Sequence, residues 1–120
     1  MIAKQISGTW VLEAFQIEDL SGTISDWGKN SHGLLIYTDD GHMSVSINSD
    51  KSENILDSIL FYAGTFCVEG STVKHQVTEA SQPARIGQEL IRYMAFKKDQ
   101  LILTTQKESF GRAIVVWRRK

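Results

Sequence analysis

The chain has 120 residues, 42% of them hydrophobic, which predicts a single domain over residues 1–120 with one core. Thirteen Lys and Arg residues stand against fourteen Asp and Glu residues, and the basic ones are scattered, so we expect no nucleic-acid partner and no membrane-binding face. The sequence starts without the apolar run of a signal peptide, and no stretch approaches the ~18 apolar residues of a membrane helix.

A single cysteine, Cys67, excludes an internal disulfide and a zinc site made of cysteines. One unpaired thiol fits a reducing compartment. Together with the missing signal peptide, it favours a cytoplasmic protein.

Short segments of alternating apolar and polar residues follow one another along the chain, with glycines between them. This pattern is typical of antiparallel strands joined by tight turns. The predicted strands are 9–18, 33–38, 42–47, 62–69, 72–79, 89–97, 100–105 and 112–119, with a weaker extended segment at 23–26. We expect an all-β domain, a roughly eight-stranded antiparallel up-and-down β-barrel.

One segment, residues 52–61, breaks the alternation. Ile55, Leu56, Ile59 and Leu60 recur there at helical spacing after polar residues that could cap a helix. The sequence therefore predicts one short helix near 52–61, lying across an open end of the barrel or bridging two parts of the sheet.

The turns also predict which residues face each other, because facing residues of a hairpin point to the same side of the sheet. The predicted pairs are Leu35–Val45, Tyr37–Met43, Gly64–Val77, Phe66–His75, Val77–Arg92, His75–Met94, Arg92–Thr105, Met94–Leu103, Leu103–Val115 and Leu101–Trp117. One mostly apolar inward face results, and Phe96 belongs to it. Its bulky side chains predict a modest free volume inside the barrel.

The opposite face is more polar, but four aliphatic residues interrupt it. They are Ile91, Ile102, Ile114 and Val116. Two interpretations stay open, ordinary outer-surface aliphatics or a patch that forms a homodimer.

Several blocks of the sequence occur in an order and spacing that resemble the small bacterial and fungal lipocalin-like domain proteins. The blocks are Gly8-Thr9-Trp10, Gly33-Leu34-Leu35-Ile36-Tyr37-Thr38, Asp40-Gly41-His42-Met43-Ser44, Gly64-Thr65-Phe66, Val73-Lys74-His75, Arg92-Tyr93, Leu101-Ile102-Leu103-Thr104-Thr105 and Gly111 with Trp117-Arg118-Arg119. The resemblance extends from Ile6 to Arg119. It implies a calycin-type barrel in which Arg119 or Arg118 packs over Trp10, and it implies no particular function.

A few polar residues on the apolar inward face are the candidate site. The predicted register brings Arg92, His75 and Thr105 near one another, and a guanidinium inside a barrel requires a partner. That partner is either a ligand carboxylate, held by Arg92 with help from His75 or Thr105, or Glu79 in an internal ion pair. Both alternatives stay open.

The other candidates have a structural alternative as well. The Tyr37 hydroxyl could meet a ligand or bond to backbone or water. His75 could be a hydrogen-bonded core residue, a ligand contact, a general base or, least favoured, a haem ligand. Trp27 could line the barrel mouth or anchor its loop, whose flanking Gly28 and Gly33 would let it move as a gate. The predicted ligand-binding residues are Arg92, His75, Thr105, Tyr37, Phe66, Met94 and Trp27.

The inward face offers no catalytic triad and no pair of carboxylates, and its histidines do not form a metal site. We therefore expect a protein that binds a small apolar or aromatic ligand, with or without a carboxylate, and uses no cofactor or metal. One alternative is a cofactor-independent isomerase, cyclase or hydratase with His75 or Tyr37 as acid or base. Another is a solid barrel with a structural or dimerisation role.

Overall fold

The computed structural model describes residues 5–27, 30–50 and 59–120. Nine strands account for most of them. The strands are β1 Gly8–Glu18, β2 Ile24–Asp26, β3 His32–Tyr37, β4 His42–Asn48, β5 Ile59–Glu69, β6 Thr72–Ala80, β7 Glu89–Lys97, β8 Gln100–Thr105 and β9 Arg112–Arg119.

All neighbouring strands are antiparallel, and the sheet closes on itself. From β3 to β9 each strand pairs with the next, and both β3 and β9 pair with β1. The short β2 pairs only with the last residues of β1. Eight strands thus form a closed up-and-down barrel with β2 beside it, which confirms the predicted fold class.

The register is as predicted wherever a tight turn joins the strands. Tyr37 faces Met43, Phe66 faces His75, and Arg92 faces Thr105. Short turns leave little freedom in the pairing, so the sequence is sufficient to define it.

The predicted register between β6 and β7 is wrong. His75 faces Leu90, and Arg92 faces Val73. The reason is that the hairpin closes early: the N–H of Val77 donates to the Gln88 carbonyl, and the N–H of Gly87 donates to the Val77 carbonyl. The pairing is shifted by an even number of residues, so His75 and Arg92 keep their inward direction.

An extra residue in β6 changes the direction of the residues that follow it. Gly64 faces Val77 and Ala63 faces Glu79, so Thr78 has no partner of its own. A Cβ added at Gly64 would lie 1.8 Å from the Gln76 carbonyl oxygen, which is why glycine is needed at this close approach. Beyond the bulge Glu79 is exposed, and its predicted inward direction is wrong.

Most of the predicted helix, residues 52–58, lies outside the described residues. Residues 59–61 are not helical, because β5 begins at Ile59 and pairs with the end of β4. A 3-10 turn spans Pro83–Arg85 in the connection between β6 and β7. No helix among the described residues is long and apolar enough to cross a membrane.

The first and last strands meet at the closed end of the barrel. Trp10 is 1% exposed, and its indole N–H donates to the Ile6 carbonyl at 2.8 Å. The Arg119 guanidinium lies 4.1 Å from the centroid of the Trp10 ring and donates to the carbonyls of Ser7 and Gln5. Arg118 instead pairs with Glu13. The packing of Arg119 over Trp10 is as the family resemblance implies.

Candidate ligand-binding cavity

A cavity of about 690 Å³ lies inside the barrel. Its size falls within the range of pockets that hold small organic molecules. Its apolar wall includes Phe15, Ile17, Leu35, Val45, Ile47, Leu60, Leu90, Leu103 and Val115. The volume is larger than the modest free volume expected from the sequence, and one of the expected filling side chains, Phe96, is 40% exposed.

Four of the predicted site residues line the cavity: Arg92, His75, Thr105 and Trp27. The other three, Tyr37, Phe66 and Met94, are described residues that lie outside its lining. Tyr37 is fully buried behind His75, and Phe66 packs edge-on against Tyr37 with ring centroids 4.7 Å apart. Ligand contact by any of the seven stays a prediction.

His75 is the one buried polar side chain among the described residues and bonds to two tyrosines. Its Nε2 lies 2.6 Å from the Tyr37 hydroxyl and its Nδ1 lies 2.7 Å from the Tyr62 hydroxyl. Burial, and then the positive charge of Arg92, lower the pKa of His75 from 6.5 to about 3. The ring is therefore neutral at pH 7 and is too weak a base to support the proposed acid–base role.

The two tyrosines differ in their surroundings. Burial raises the pKa of Tyr37 well above its ordinary value. Burial also raises the pKa of Tyr62, where the positive charges of Arg92 and Arg85 oppose the effect, whereas Arg92 alone opposes it at Tyr37. Tyr62 lines the cavity, so its hydroxyl belongs to the candidate site.

Tyr62 is a site residue that the sequence reasoning missed. It stands two residues before Gly64 on β5, so it has the same inward parity as Gly64 and Phe66. Extending the predicted inward face by one step would have included it. Its bond to His75 could not be predicted, because the two residues are not paired across the strands.

Arg92 is half-buried, and its Nη1 donates to the Ile91 carbonyl at 3.1 Å. Three ion pairs between Lys or Arg and a carboxylate occur within residues 5–27, 30–50 and 59–120, and none of them includes Arg92. The alternative of an ion pair with Glu79 is not realised, since the extra residue Thr78 turns Glu79 outward. The Arg92 guanidinium is therefore a cation at the cavity without a carboxylate partner in the described chain.

Thr105 lies opposite Arg92, as predicted, but its hydroxyl already has two partners. It accepts from the N–H of Ala113 at 2.9 Å and donates to the Gln106 carbonyl at 3.1 Å. These bonds hold the connection between β8 and β9. Thr105 can contact a ligand, but its proton is already donated.

Arg85, on the 3-10 turn, is a second cation that lines the cavity and was missed from the sequence. Its guanidinium lies 5.9 Å from the centroid of the Tyr62 ring, and its Nε donates to Gln82 at 2.8 Å. The connection between β6 and β7 brings it there by folding back on β6. No strand pattern in the sequence indicates this placement.

Trp27 was predicted either to line the barrel mouth or to anchor its loop, and its contacts fit both. Its ring stacks on the Phe15 ring with centroids 4.9 Å apart, and its backbone N–H donates to the Phe15 carbonyl at 2.9 Å, so the residue is anchored. It also lines the cavity. Of the two glycines of the gate hypothesis, Gly28 lies outside the described residues, and Gly33 lies in β3, where an added Cβ would lie 2.3 Å from the Ser46 carbonyl oxygen.

The described residues contain no group of three or more His, Cys, Asp or Glu side chains that could hold a metal ion. Cys67 is exposed on the outer face. Trp117 lines the cavity, and its buried indole N–H has no hydrogen-bond partner in the described chain. The polar lining thus includes the donors Arg85, Arg92 and the Trp117 N–H, to which acceptor groups of a ligand could bond, and one carboxylate, Glu108.

A closed eight-stranded antiparallel barrel around an internal cavity defines the class of small up-and-down β-barrels. The chain belongs to the lipocalin-like domain family, whose model matches residues 7–55 and 46–120. The resemblance seen in the sequence blocks is thereby confirmed. Among curated proteins, none matches the sequence significantly.

Two solved structures are similar to the chain over nearly its whole length. A redesigned β-barrel is 11% identical with a TM-score of 0.55, covering 98% of this chain and 94% of that one. A mutant of the fluorescent protein UnaG is 16% identical with a TM-score of 0.52, covering 100% of this chain and 99% of that one. At such low identity the likeness establishes the fold alone.

Proposed function

We propose that this protein binds a small apolar or aromatic molecule inside the barrel, with an acidic group of the molecule close to Arg92. The observation that carries the proposal is a cavity of about 690 Å³ whose wall is apolar and whose cation, Arg92, has no carboxylate partner in the described chain. An apolar wall supplies affinity by burial, and one charged group orients the ligand. Membership in the lipocalin-like family supports ligand binding in general.

The alternatives receive less support. The lowered pKa of His75 disfavours it as a general base, and the cavity volume disfavours a solid barrel. The outward aliphatics Ile91, Ile102, Ile114 and Val116 are half-buried, and the homodimer stays a prediction. The proposal retains a cytoplasmic location, with the free thiol of Cys67 as its support.

The experiment that tests the proposal uses N-phenyl-1-naphthylamine, a neutral aromatic probe that fluoresces when it leaves water. We expect saturable fluorescence and a raised melting temperature when the probe is added to the wild-type protein. A matched pair of variants then locates the probe. Leu90 lines the cavity, whereas Ile91 is the next residue and points outward.

Leu90→Trp should fill part of the cavity and weaken probe binding by about tenfold or more, whereas Ile91→Trp should change it by less than about twofold. Both variants add the same indole to the same strand. Equal effects, or the absence of saturable binding to the wild type, would refute binding in the cavity.

A further inference from the structure

His75 lies between two tyrosine hydroxyls, one at each ring nitrogen. A neutral imidazole carries one N–H donor and one bare nitrogen that accepts. One tyrosine must therefore donate to the ring while the other accepts from it. Two arrangements are possible, and they differ in which tyrosine keeps a free proton.

The surroundings of the two hydroxyls decide between these arrangements. Tyr37 is 1% exposed and lies outside the cavity lining, and in the described chain its hydroxyl bonds only to Nε2 of His75. If Nε2 carried the proton, the Tyr37 hydroxyl would have to accept, and its own O–H would be a buried donor without an acceptor. Such orphaned donors are costly and rare in folded proteins.

In the opposite arrangement the spare O–H belongs to Tyr62, which lines the cavity, where water or a ligand can accept from it. Tyr37 then donates to Nε2, and Nδ1 of His75 carries the ring proton and donates to the Tyr62 oxygen. With this donor on its oxygen, Tyr62 has its own O–H left to donate, and Tyr62 is the tyrosine that lines the cavity.

We infer that His75 is protonated on Nδ1 and that a one-way chain of hydrogen bonds from Tyr37 through His75 makes Tyr62 a hydroxyl donor to the cavity. The ligand part of this inference rests on the proposed function. Tyr62 on β5 and Arg92 on β7 flank β6, which carries His75, and together they present a neutral O–H and a guanidinium. This pair fits a carboxylate, which accepts from both. Tyr62 is thus the specificity-determining contact, and Tyr37 positions it through His75.

The probes for the test are 2-naphthoic acid and methyl 2-naphthoate, which share a ring system and differ in the carboxylate. Each displaces N-phenyl-1-naphthylamine from the protein, which gives its affinity. We expect the wild type to prefer the acid over the ester by about tenfold or more, since a bond to an ionised acceptor is stronger than one to a neutral acceptor.

Tyr62→Phe and Tyr37→Phe form the matched pair, because each removes one hydroxyl from His75. Tyr62→Phe should reduce the preference for the acid by about tenfold while the ester and the neutral probe keep their affinities within about twofold. Tyr37→Phe frees Nε2 of His75 but leaves the Tyr62 hydroxyl beside the cavity, so it should reduce the preference by less than about threefold. Both variants should lose stability to a similar degree. An equal loss of preference in the two variants would overturn the assigned role of Tyr62.

A second measurement needs no variant and no ligand. The ¹⁵N chemical shifts of the His75 ring in the wild-type protein show which nitrogen carries the proton, and we expect Nδ1. A proton on Nε2 would overturn the inference whatever the probes do. If no probe binds and Nδ1 is protonated, the proposed function fails while the direction of the hydrogen-bond chain stands.

Discussion

Each end of the barrel has an arginine against an aromatic ring, and the two arginines differ in what else they bind. At the closed end Arg119 lies 4.1 Å from the centroid of Trp10 and donates to two backbone carbonyls. At the cavity Arg85 lies 5.9 Å from the centroid of Tyr62 and has one recorded side-chain partner, Gln82. The Arg119 guanidinium bonds to the backbone of its own fold, whereas the Arg85 guanidinium keeps N–H groups that can bond to a ligand.

The same contrast holds for the neutral donors. The indole N–H of Trp10 bonds to a backbone carbonyl, whereas that of Trp117, beside the cavity, has no partner in the described chain. A folded protein tends to pair its buried polar groups, so the place where donors are left over is the place to look for a ligand. The predictions below compare the closed end with the cavity.

The largest effect should follow from Trp10→Ala at the closed end. The substitution empties a fully buried site and removes the ring beneath Arg119, so we expect a loss of about 3–5 kcal/mol in the free energy of unfolding, measured in urea. Affinity of the folded fraction for N-phenyl-1-naphthylamine should change by less than about twofold. Trp27→Ala is the matched control at the cavity and should show a smaller loss of stability with a larger loss of probe affinity.

The next largest effect is a pH dependence of the free energy of unfolding, which arises from His75 beside the cavity. The pKa of His75 is lowered from 6.5 to about 3, so between these pH values the ring is protonated in the unfolded chain and neutral in the folded one. The stabilisation is therefore complete above pH 6.5 and is lost as the pH falls toward 3. Between about pH 7 and about pH 4.5 the wild type should lose about 3 kcal/mol from this group alone.

Two histidine variants test the pH effect in urea unfolding at the two pH values. His75→Gln removes the buried ring, so the loss between the two pH values should shrink by that amount. His32→Gln changes an exposed histidine and should keep the wild-type loss. An unchanged loss in His75→Gln would show that other groups cause the pH dependence.

The fold was predictable because tight turns link the strands. Once a short turn is placed, the pairing of Tyr37 with Met43 or of Arg92 with Thr105 follows from the alternation alone. The strand pairings needed only local rules and the closure of the barrel. The contact with Trp10 came from the family resemblance, which implied Arg119 or Arg118, and the structure places Arg119 there.

The candidate site was less predictable because it depends on irregular features. The extra residue at Thr78 arises where β6 comes close to Gly64, and no local pattern marks it, yet it decides that Glu79 points away from Arg92. The early closure of the β6–β7 hairpin likewise brings Arg85 to the cavity. Parity gives the direction of a side chain but not its reach, so the volume of the cavity could not be read from the sequence.

A third prediction compares two arginines directly. Arg92→Met should weaken binding of 2-naphthoate by about tenfold, because the carboxylate loses its interior cation, and methyl 2-naphthoate should bind within about twofold of the wild-type affinity. Arg119→Met should lower the free energy of unfolding by about 1 kcal/mol and leave both affinities unchanged. Displacement titrations and urea unfolding measure the two effects. The reverse pattern would contradict the division between the closed end and the cavity.

The smallest effect should come from Arg85→Met. Arg85 lies on the 3-10 turn, outside the strands of the barrel, and already bonds to Gln82, so we expect 2-naphthoate to bind only about threefold more weakly. Gln82→Ala is the control, since it removes the partner of Arg85 but keeps the charge, and it should bind 2-naphthoate within about twofold of the wild type. Added salt should weaken binding in the wild type more than in Arg85→Met, because the variant has one cation fewer whose attraction salt can screen. If Arg85→Met lowered the affinity more than Arg92→Met, the carboxylate would lie beside the 3-10 turn and not beside Tyr62.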